Sequence, residues 1–392
     1  MKILIAGGGI GGLTAALCLS QAGHDVTVLE RNTSFADVGA GIQCGANAIK
    51  VLDSLGLLPD LESVAVQPER VEFRDGVSGD VLYRTEFGQL YQARYGAPYL
   101  HIHRADLHDI LLAALVKRDS GMVMRGASVE TVAEDAAGVT VTLRDQSTVR
   151  GDCLIGADGI HSIVRQSLFG ESSPRFTGNV AWRGVVPVER LPHDFMPTQA
   201  INFMGARKHM VVYYVRSKQL LNFVGVVESA SWNNESWTET APWQELKRDF
   251  AGWHPMVQQV VEAVDRDACF KWALHDHAPL TSWSSARISL LGDAAHATLP
   301  FMASGAAMAI EDARVLQRAL DKHDTPMPGL AMYQRNRLSR TAKIQRDSAR
   351  FGTLYHLEHR WLLKQAFNVL SVVGRKKERF LAGYDANAVE LK

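Results

Sequence analysis

The sequence predicts an α/β protein: a Rossmann-like parallel-sheet domain built from discontinuous pieces, an inserted antiparallel β-sheet domain, and a helical C-terminal tail. Three observations predict it. Lys2–Ala6 is a short apolar run ending in glycines, Leu13–Ala22 has helix-forming composition and stops at Gly23, and Asp25–Glu30 is a second β-rich run; together they read as a βαβ unit with buried parallel strands. From Val180 to Ser229 the chain is dominated by β-type stretches. From Met332 to Lys392 it is charged and mostly helical in composition.

The elements follow in order. Leu107, Ile110, Leu111, Ala114 and Leu115 recur at helical spacing, which predicts an amphipathic helix over Arg104–Lys117. Strands are expected near 127–133, 138–144 and 152–157, with Ala136-Ala137-Gly138 and Arg144-Asp145-Gln146 as turns. The insert carries strands at Val180–Val188, Ile201–Met204, His209–Val215 and Leu220–Val227, the last two joined by the polar turn Arg216-Ser217-Lys218-Gln219. Helices are expected at Trp243–Trp253 and Pro255–Val264, a strand at Arg287–Leu291 and a helix over Ala306–Asp321. The expected division is residues 1–70, 96–178 and 279–325 for the first domain, 71–95 and 179–278 for the β-rich domain, and 326–392 for the helical segment.

Composition narrows the function classes. A chain of 392 residues that is 46% apolar can fill more than one core. With 42 Lys+Arg against 42 Asp+Glu and no long block of one sign, a nucleic acid or an anionic membrane has no electrostatic footprint. Tracts such as His209–Val215 and Phe367–Val373 fall short of the roughly 20 apolar residues that cross a bilayer. The glycines of the first dozen residues are poor material for a signal helix. Cys18, Cys44, Cys153 and Cys269 are scattered without metal-type or disulfide-type spacing, which suits reduced thiols. A soluble, cytoplasmic protein is expected.

Gly7-Gly8-Gly9-Ile10-Gly11-Gly12 satisfies GxGxxG through Gly7, Gly9 and Gly12, at the end of an expected strand and the start of an expected helix. These glycines suit a tight turn, close backbone approach to a diphosphate, and close helix–strand packing, with the diphosphate at the helix N-terminus. Glu30 ends the second strand, where an acidic side chain would bind the ribose hydroxyls of an adenosine. Two further segments, Gly156–Ser162 and Leu291–His296, each place an Asp beside small residues after a strand-like run. Each alone reads as an ordinary turn.

In this order the motifs resemble those of the single-component FAD-dependent aromatic hydroxylases, the group A flavoprotein monooxygenases. The quoted matches are Gly7–Gly12 with Glu30-Arg31, Gly39-Ala40-Gly41-Ile42, His103–Leu107, Asp158-Gly159, and Gly292–His296 continuing to Pro300 and Gly305. The resemblance implies the FAD-binding fold of the p-hydroxybenzoate hydroxylase type (GR2), with the substrate on the inserted sheet. It implies that Glu30 and Arg31 hold the adenosine side of FAD, Arg104 the diphosphate side and Asp293 the ribityl chain. The Pro300–Ala306 backbone, including Gly305 and Ala306, would line the flavin with Gly41 nearby, and Asp158-Gly159 would serve both FAD and a passing NADH or NADPH. Lack of a second GxGxxG fits a transient nicotinamide visitor. The Trp-x-Trp-x-Ile-Pro motif of flavin halogenases is absent, Trp182–Pro187 being a partial echo.

Within the family the sequence resembles salicylate 1-hydroxylase, 3-hydroxybenzoate 6-hydroxylase and 6-hydroxynicotinate 3-monooxygenase. His209 and Tyr213 stand four apart on an expected strand, hence on one face about 13 Å apart. The resemblance implies that both bind the substrate and help remove a phenolic proton, His209 being chosen because an imidazole titrates near the working pH. The alternative is a core tyrosine and a surface histidine at a strand end. Gln43, Ala200 and Pro300 depart from the patterns of the two more specific relatives, which leaves a salicylate-like substrate as the default. The implied reaction is NAD(P)H- and O2-dependent hydroxylation through a C4a-hydroperoxyflavin, decarboxylating if oxygen enters at the carboxylated carbon. The alternatives are the two named relatives' reactions, urate-type hydroxylation, and an FAD-binding redox sensor without turnover. Expected partners are a small aromatic acid, O2 and NAD(P)H, in a monomer or homodimer. His296 is expected to be structural, and His101, His103 and His108 to form a partly exposed helix-start turn without a metal site.

Overall fold

The computed structural model describes residues 1–34, 40–171, 173–229 and 240–392, and of these no side-chain statement covers 370–373. Gly39 of the Gly39–Ile42 motif and residues 230–239 of the expected insert lie outside the described residues.

The chain opens as expected with β1 (Lys2–Ala6), α1 (Ile10–Gln21) and β2 (Asp25–Glu30). Helix α1 begins three residues earlier than its composition suggests, so that Gly11 and Gly12 sit in its first turn. It is buried almost all round, because it lies between the sheet and two other helices. There follow β3 (Gly41–Cys44), α2 (Ala46–Ser54), α3 (Leu58–Val64), β4 (Arg70–Asp75), β5 (Val81–Glu86), α4 (Gly88–Tyr95), β6 (Leu100–His103) and α5 (Arg104–Arg118). His101, His103 and His108 are all buried, which corrects the expectation of a partly exposed turn. The first two belong to β6, paired with β3, and the third faces inward from α5. Next come β7 (Val123–Arg125), β8 (Val129–Asp135), β9 (Gly138–Leu143), β10 (Thr148–Gly151), β11 (Cys153–Gly156) and α6 (Ile163–Phe169).

The β-rich region contains β12 (Arg175–Pro187), β13 (Gln199–Gly205), β14 (Lys208–Val215) and β15 (Leu220–Glu228), then α7 (Trp243–Asp249), α8 (Pro255–Ala263) and β16 (Phe270–Asp276). The helix expected over Trp243–Trp253 stops at Asp249, and Gly252, at φ +74°, turns the chain toward α8. The chain ends with β17 (Ile288–Leu290), α9 (Asp293–His296), α10 (Gly305–Leu320), α11 (Pro326–Tyr355) and α12 (Arg360–Ala382).

Two sheets position the site. A five-stranded parallel sheet has the order β17-β11-β1-β2-β7, with Ile3 opposite both Cys153 and Val26. Its central strands β1 and β11 are apolar and buried apart from Lys2, as cover on both faces demands, whereas the edge strand β7 is largely exposed. A seven-stranded sheet has the order β16-β12-β15-β14-β13-β4-β5 and is antiparallel except for one parallel seam between β13 and β4. Its strands alternate. Ile201, Phe203, Met210, Val212, Leu221 and Phe223 face a core closed by α7 and α8. Asn202, His209, Val211, Tyr213, Val224 and Val226 face the parallel-sheet domain across a cavity.

Candidate active site

The cavity has a volume of about 680 Å³ and runs from the glycine turn after β1 to the inner face of the seven-stranded sheet. At the first end Gly7 has φ +103°, and a Cβ there would lie 2.5 Å from the Ala157 carbonyl oxygen; a Cβ on Gly12 would lie 2.0 Å from the Gly7 carbonyl oxygen. Only glycine permits this turn to close against β11 and α1. Gly9 is different: a Cβ there meets nothing within 4 Å, because it faces the cavity. Glu30 is buried below the turn, accepting from the Gly8 N–H and from the backbone and side chain of Asn32, each at 2.8 Å. His108 braces the turn through the Gly8 carbonyl at 2.7 Å. Arg31, expected beside it, is exposed and lies outside the cavity wall.

Arg104 and Asp293 reach the cavity from opposite sides, from the start of α5 and from the turn after β17. Neither side chain has a hydrogen-bond partner among the described residues, and both line the cavity, Arg104 half-buried and Asp293 exposed. Desolvation lowers the Arg104 pKa and raises that of Asp293, with the two charges opposing these shifts in each other. A cavity that keeps one cation and one carboxyl unsatisfied beside an open glycine turn fits a dinucleotide with a polyhydroxylated linker. Gly292, at φ +62°, makes the turn that presents Asp293. Pro300-Phe301-Met302 forms a short 3-10 turn, and Ala303 beside it has φ +47°, a strained value for a residue with a Cβ. This segment and Gly305-Ala306 form a continuous stretch of cavity wall.

Asp158 plays a different part from the one its motif implies. Its carboxylate accepts from Ser162 Oγ at 2.5 Å and from the N–H groups of Ile163 and Val164 at 2.8 and 3.2 Å, so it caps α6. Gly159, not the Asp158 side chain, lines the cavity. His296 is engaged with Asp312 of α10 at 2.5 Å and packs near Trp283, away from the cavity wall.

At the second end His209 and Tyr213 line the same cavity, as their shared strand face requires. His209 is buried, so the surface-residue alternative fails. The reason for choosing it also changes: burial and the neighbouring His356 push its imidazole pKa well below the usual histidine range, so it stays neutral at working pH. Its Nδ1 lies 2.8 Å from His356 Nε2, while Nε2 has no hydrogen-bond partner among the described residues. Tyr213 packs on Gly41, where a Cβ would approach its ring to 2.5 Å, and on the buried ring of His101 at 4.4 Å. Burial raises the Tyr213 phenol pKa, and Gln43, which hydrogen-bonds it, also accepts from Tyr99 at 2.7 Å.

Sequence reasoning missed three residues here. Arg183 projects into the cavity from β12 and stacks on Trp272; burial lowers its pKa to about 10, so it remains a cation at neutral pH. A lone arginine inside an apolar strand was the available signal. Tyr355 and His356, at the end of α11, carry no motif, and only the tertiary fold brings them to the sheet.

A glycine turn for phosphates that opens without a break into an aromatic-walled chamber is the arrangement of a flavin-dependent oxygenase, which must hold its redox ring next to a substrate. Residues 1–348 match the FAD binding domain family, and the chain belongs to it. It is an FAD-dependent monooxygenase of the aromatic hydroxylase class, which sets the sensor alternative aside. It is 39% identical over 357 residues to 3-amino-4-hydroxybenzoate 2-monooxygenase of Streptomyces platensis, covering 91% of this chain and 89% of the relative. It is 35% identical to 3-hydroxybenzoate 6-hydroxylase of Polaromonas naphthalenivorans (91% and 89% covered), and 37% identical to 6-hydroxynicotinate 3-monooxygenase of Pseudomonas fluorescens (88% and 90% covered). Among solved structures it resembles HpxO of Klebsiella pneumoniae complexed with FAD and uric acid, with a TM-score of 0.86, 28% identity and coverage of 98% and 97%. A salicylate hydroxylase substrate complex superposes with a TM-score of 0.83 at 26% identity, covering 98% and 96%. Among the described residues no helix is long and apolar enough to cross a membrane.

Proposed function

We propose that this monooxygenase hydroxylates a small hydroxybenzoate-type acid whose hydroxyl and carboxylate lie meta or para to each other, using NADH or NADPH and O2. One observation carries the reading: the inner sheet face sets the His209 imidazole, whose Nδ1 is held by His356, and the Arg183 guanidinium along one cavity wall. Arg183 pairs with Val224 and Val224 with Val211, two residues from His209. Two strands across and two residues along put the two Cα atoms about 12 Å apart. A ring with its polar groups at opposite ends spans the gap left between those side chains. An ortho acid such as salicylate presents both groups on one edge, so the meta or para acids replace it as the first candidate. The names of the similar hydroxybenzoate and hydroxynicotinate enzymes support the same class.

In this reading the turn that Gly7 and Gly12 close presents Gly9 to the FAD diphosphate, Glu30 and Arg31 take the adenosine side, and Arg104, Asp293 and the Pro300–Ala306 wall hold the rest. The parallel-sheet pieces thus serve the cofactor and the β-rich insert serves the substrate. Bound FAD supplies, after reduction, the oxygen activation that side chains lack. The protein's residues do the remainder. His209 Nε2 accepts the hydrogen bond, then the proton, of the ring hydroxyl, which raises electron density at the ortho and para carbons. Arg183 and Tyr213 orient the carboxylate, and Phe301, Trp272 and Tyr355 keep water away.

Oxidation of NADH and of NADPH, followed with 3-hydroxybenzoate, 4-hydroxybenzoate, 3-amino-4-hydroxybenzoate, 6-hydroxynicotinate and salicylate, tests this. The expected result is stimulation coupled to a hydroxylated product with a meta or para acid. Turnover of salicylate alone would reject the substrate reading.

A further inference from the structure

His209 is the inner end of a chain of titratable groups that crosses the wall of the molecule. Its Nδ1 is 2.8 Å from His356 Nε2, and His356 Nδ1 is 3.1 Å from Glu228 Oε1. The other Glu228 oxygen accepts from Arg207 Nε at 2.9 Å. The His356 side chain is 3% exposed, that of Glu228 34% and that of Arg207 64%, so the chain runs from the cavity wall to the outer surface. Backbone bonds hold the outer three in register: the Arg207 N–H donates to the His356 carbonyl at 3.1 Å and the Glu228 N–H to the Arg207 carbonyl at 3.0 Å.

We propose that His356 and Glu228 are relay residues that carry the ring-hydroxyl proton from His209 to solvent, an inference that rests on the reading of His209 as the residue facing that hydroxyl. The Glu228 carboxylate fixes the tautomers. It takes the Nδ1–H of His356, whose Nε2 then accepts from the Nδ1–H of His209, leaving the His209 Nε2 lone pair toward the cavity. In the step itself the substrate O–H bond breaks and an N–H bond forms at His209 Nε2. The Nδ1 proton of His209 passes to His356 Nε2, and the Nδ1 proton of His356 passes to Glu228, which releases it to water. The substrate keeps the electron pair as a phenolate, and the tautomers are restored when the product oxygen takes a proton back along the same chain.

The surroundings make onward transfer necessary. His209 is packed against Phe301 and Tyr355, with ring centroids 5.4 and 5.3 Å away, and its burial disfavours a resident imidazolium. Facing the pair, the titratable and charged groups are the Tyr355 hydroxyl, Glu228 and, behind it, Arg207. A base that cannot keep its proton acts only if the proton moves on.

The test uses FAD-loaded enzyme in weak buffer with phenol red, mixed in turn with 3-hydroxybenzoate and 4-hydroxybenzoate, with 3-methoxybenzoate as the acid that has no proton to give. Binding is read from perturbation of the flavin spectrum. Wild type should release about one proton per bound hydroxy acid and none with the methoxy acid. Glu228→Gln and His356→Ala should bind with the same spectral amplitude but release the proton at least about tenfold more slowly, in line with the weight of a positioned proton acceptor. Glu228→Asp should retain fast release, and free imidazole should restore it to His356→Ala, a rescue that a purely structural role would not show. Release as fast as wild type in both disabled variants overturns the relay while leaving the substrate reading intact. If neither hydroxy acid perturbs the flavin, the reading of His209 has failed and the relay falls with it.

Discussion

Asp312 holds the Nε2 of His296 at 2.5 Å, and both side chains are withdrawn from solvent. The same carboxylate accepts from Arg337 Nε at 2.6 Å and, at 3.2 Å, from the N–H of Gly292, the residue before Asp293. Burial raises the Asp312 pKa, but His296 and Arg337 more than offset it and hold it at about 2. Together with Glu311, which takes Arg340 and Arg337, this network ties α10 and α11 to the Gly292-Asp293 turn. Asp312→Asn leaves Arg337 buried beside a neutral amide and should cost about 3–5 kcal/mol in a denaturant titration. His296→Gln should lower stability and FAD retention while kcat of fully loaded enzyme changes only a few-fold; a loss of several hundredfold would return His296 to the chemistry.

Gly9 and Gly12 separate ligand approach from packing. A Cβ at position 12 collides with the Gly7 carbonyl oxygen, whereas one at position 9 enters only open cavity. Gly12→Ala should therefore yield unfolded or strongly destabilised protein. Gly9→Ala should melt near the wild-type apo-protein temperature yet bind FAD at least about tenfold more weakly, because a steric block at a close backbone approach forfeits charge-assisted hydrogen bonds of about 1.5–3 kcal/mol. Flavin fluorescence titration and thermal melts of the apo-protein distinguish the two.

What was legible in the sequence was what the backbone dictates locally. The glycine turn, Glu30, Arg104 and the Gly292-Asp293 turn each lie at a strand end or helix start, where residue type and conformation are tied together. Asp158 shows the limit: an Asp-Gly after a strand reads alike whether the carboxylate faces a ligand or, as here, caps the next helix. His101 and His103 were misjudged because their helical neighbour Arg104 suggested a helix start, whereas they form the strand that enters it. Tyr355 and His356 were beyond reach, since their placement depends on which face of a seven-stranded sheet meets the end of a helix some 150 residues away.

His101 should leave a signature in acid. Both ring nitrogens are buried without a hydrogen-bond partner, and burial lowers its pKa to about 3 from an unfolded value of 6.5. The folded state therefore resists a proton that the unfolded chain accepts. The related stability is fully present above pH 6.5 and drains away as the pH falls toward about 3, with a slope of about 1.4 kcal/mol per pH unit. His101→Phe keeps an aromatic ring against Tyr213 and forfeits no hydrogen bond. Urea unfolding between pH 6.5 and 4 should show a shallower decline in the variant, by about one proton's worth of slope; parallel curves would show that His101 is protonated in the folded protein.

Arg183 supplies the sharpest test of how the substrate is held. It is a half-buried cation lining the cavity, and its guanidinium carbon lies 5.4 Å from the centroid of the Trp272 ring. If it orients a carboxylate, Arg183→Met, which keeps much of the apolar stem, should raise KM for 3-hydroxybenzoate by about tenfold to a hundredfold, the equivalent of a hydrogen bond to a charged group. Arg183→Lys keeps the charge but loses the planar fork, and should fall between the two. The decisive quantity is selectivity. Wild type should favour 3-hydroxybenzoate over 3-hydroxybenzamide in kcat/KM, and Arg183→Met should bring the ratio close to one, because the neutral amide never had the ion pair to lose. A ratio that survives the substitution would mean that another group meets the carboxylate, and the orientation of the ring between Arg183 and His209 would have to be reversed.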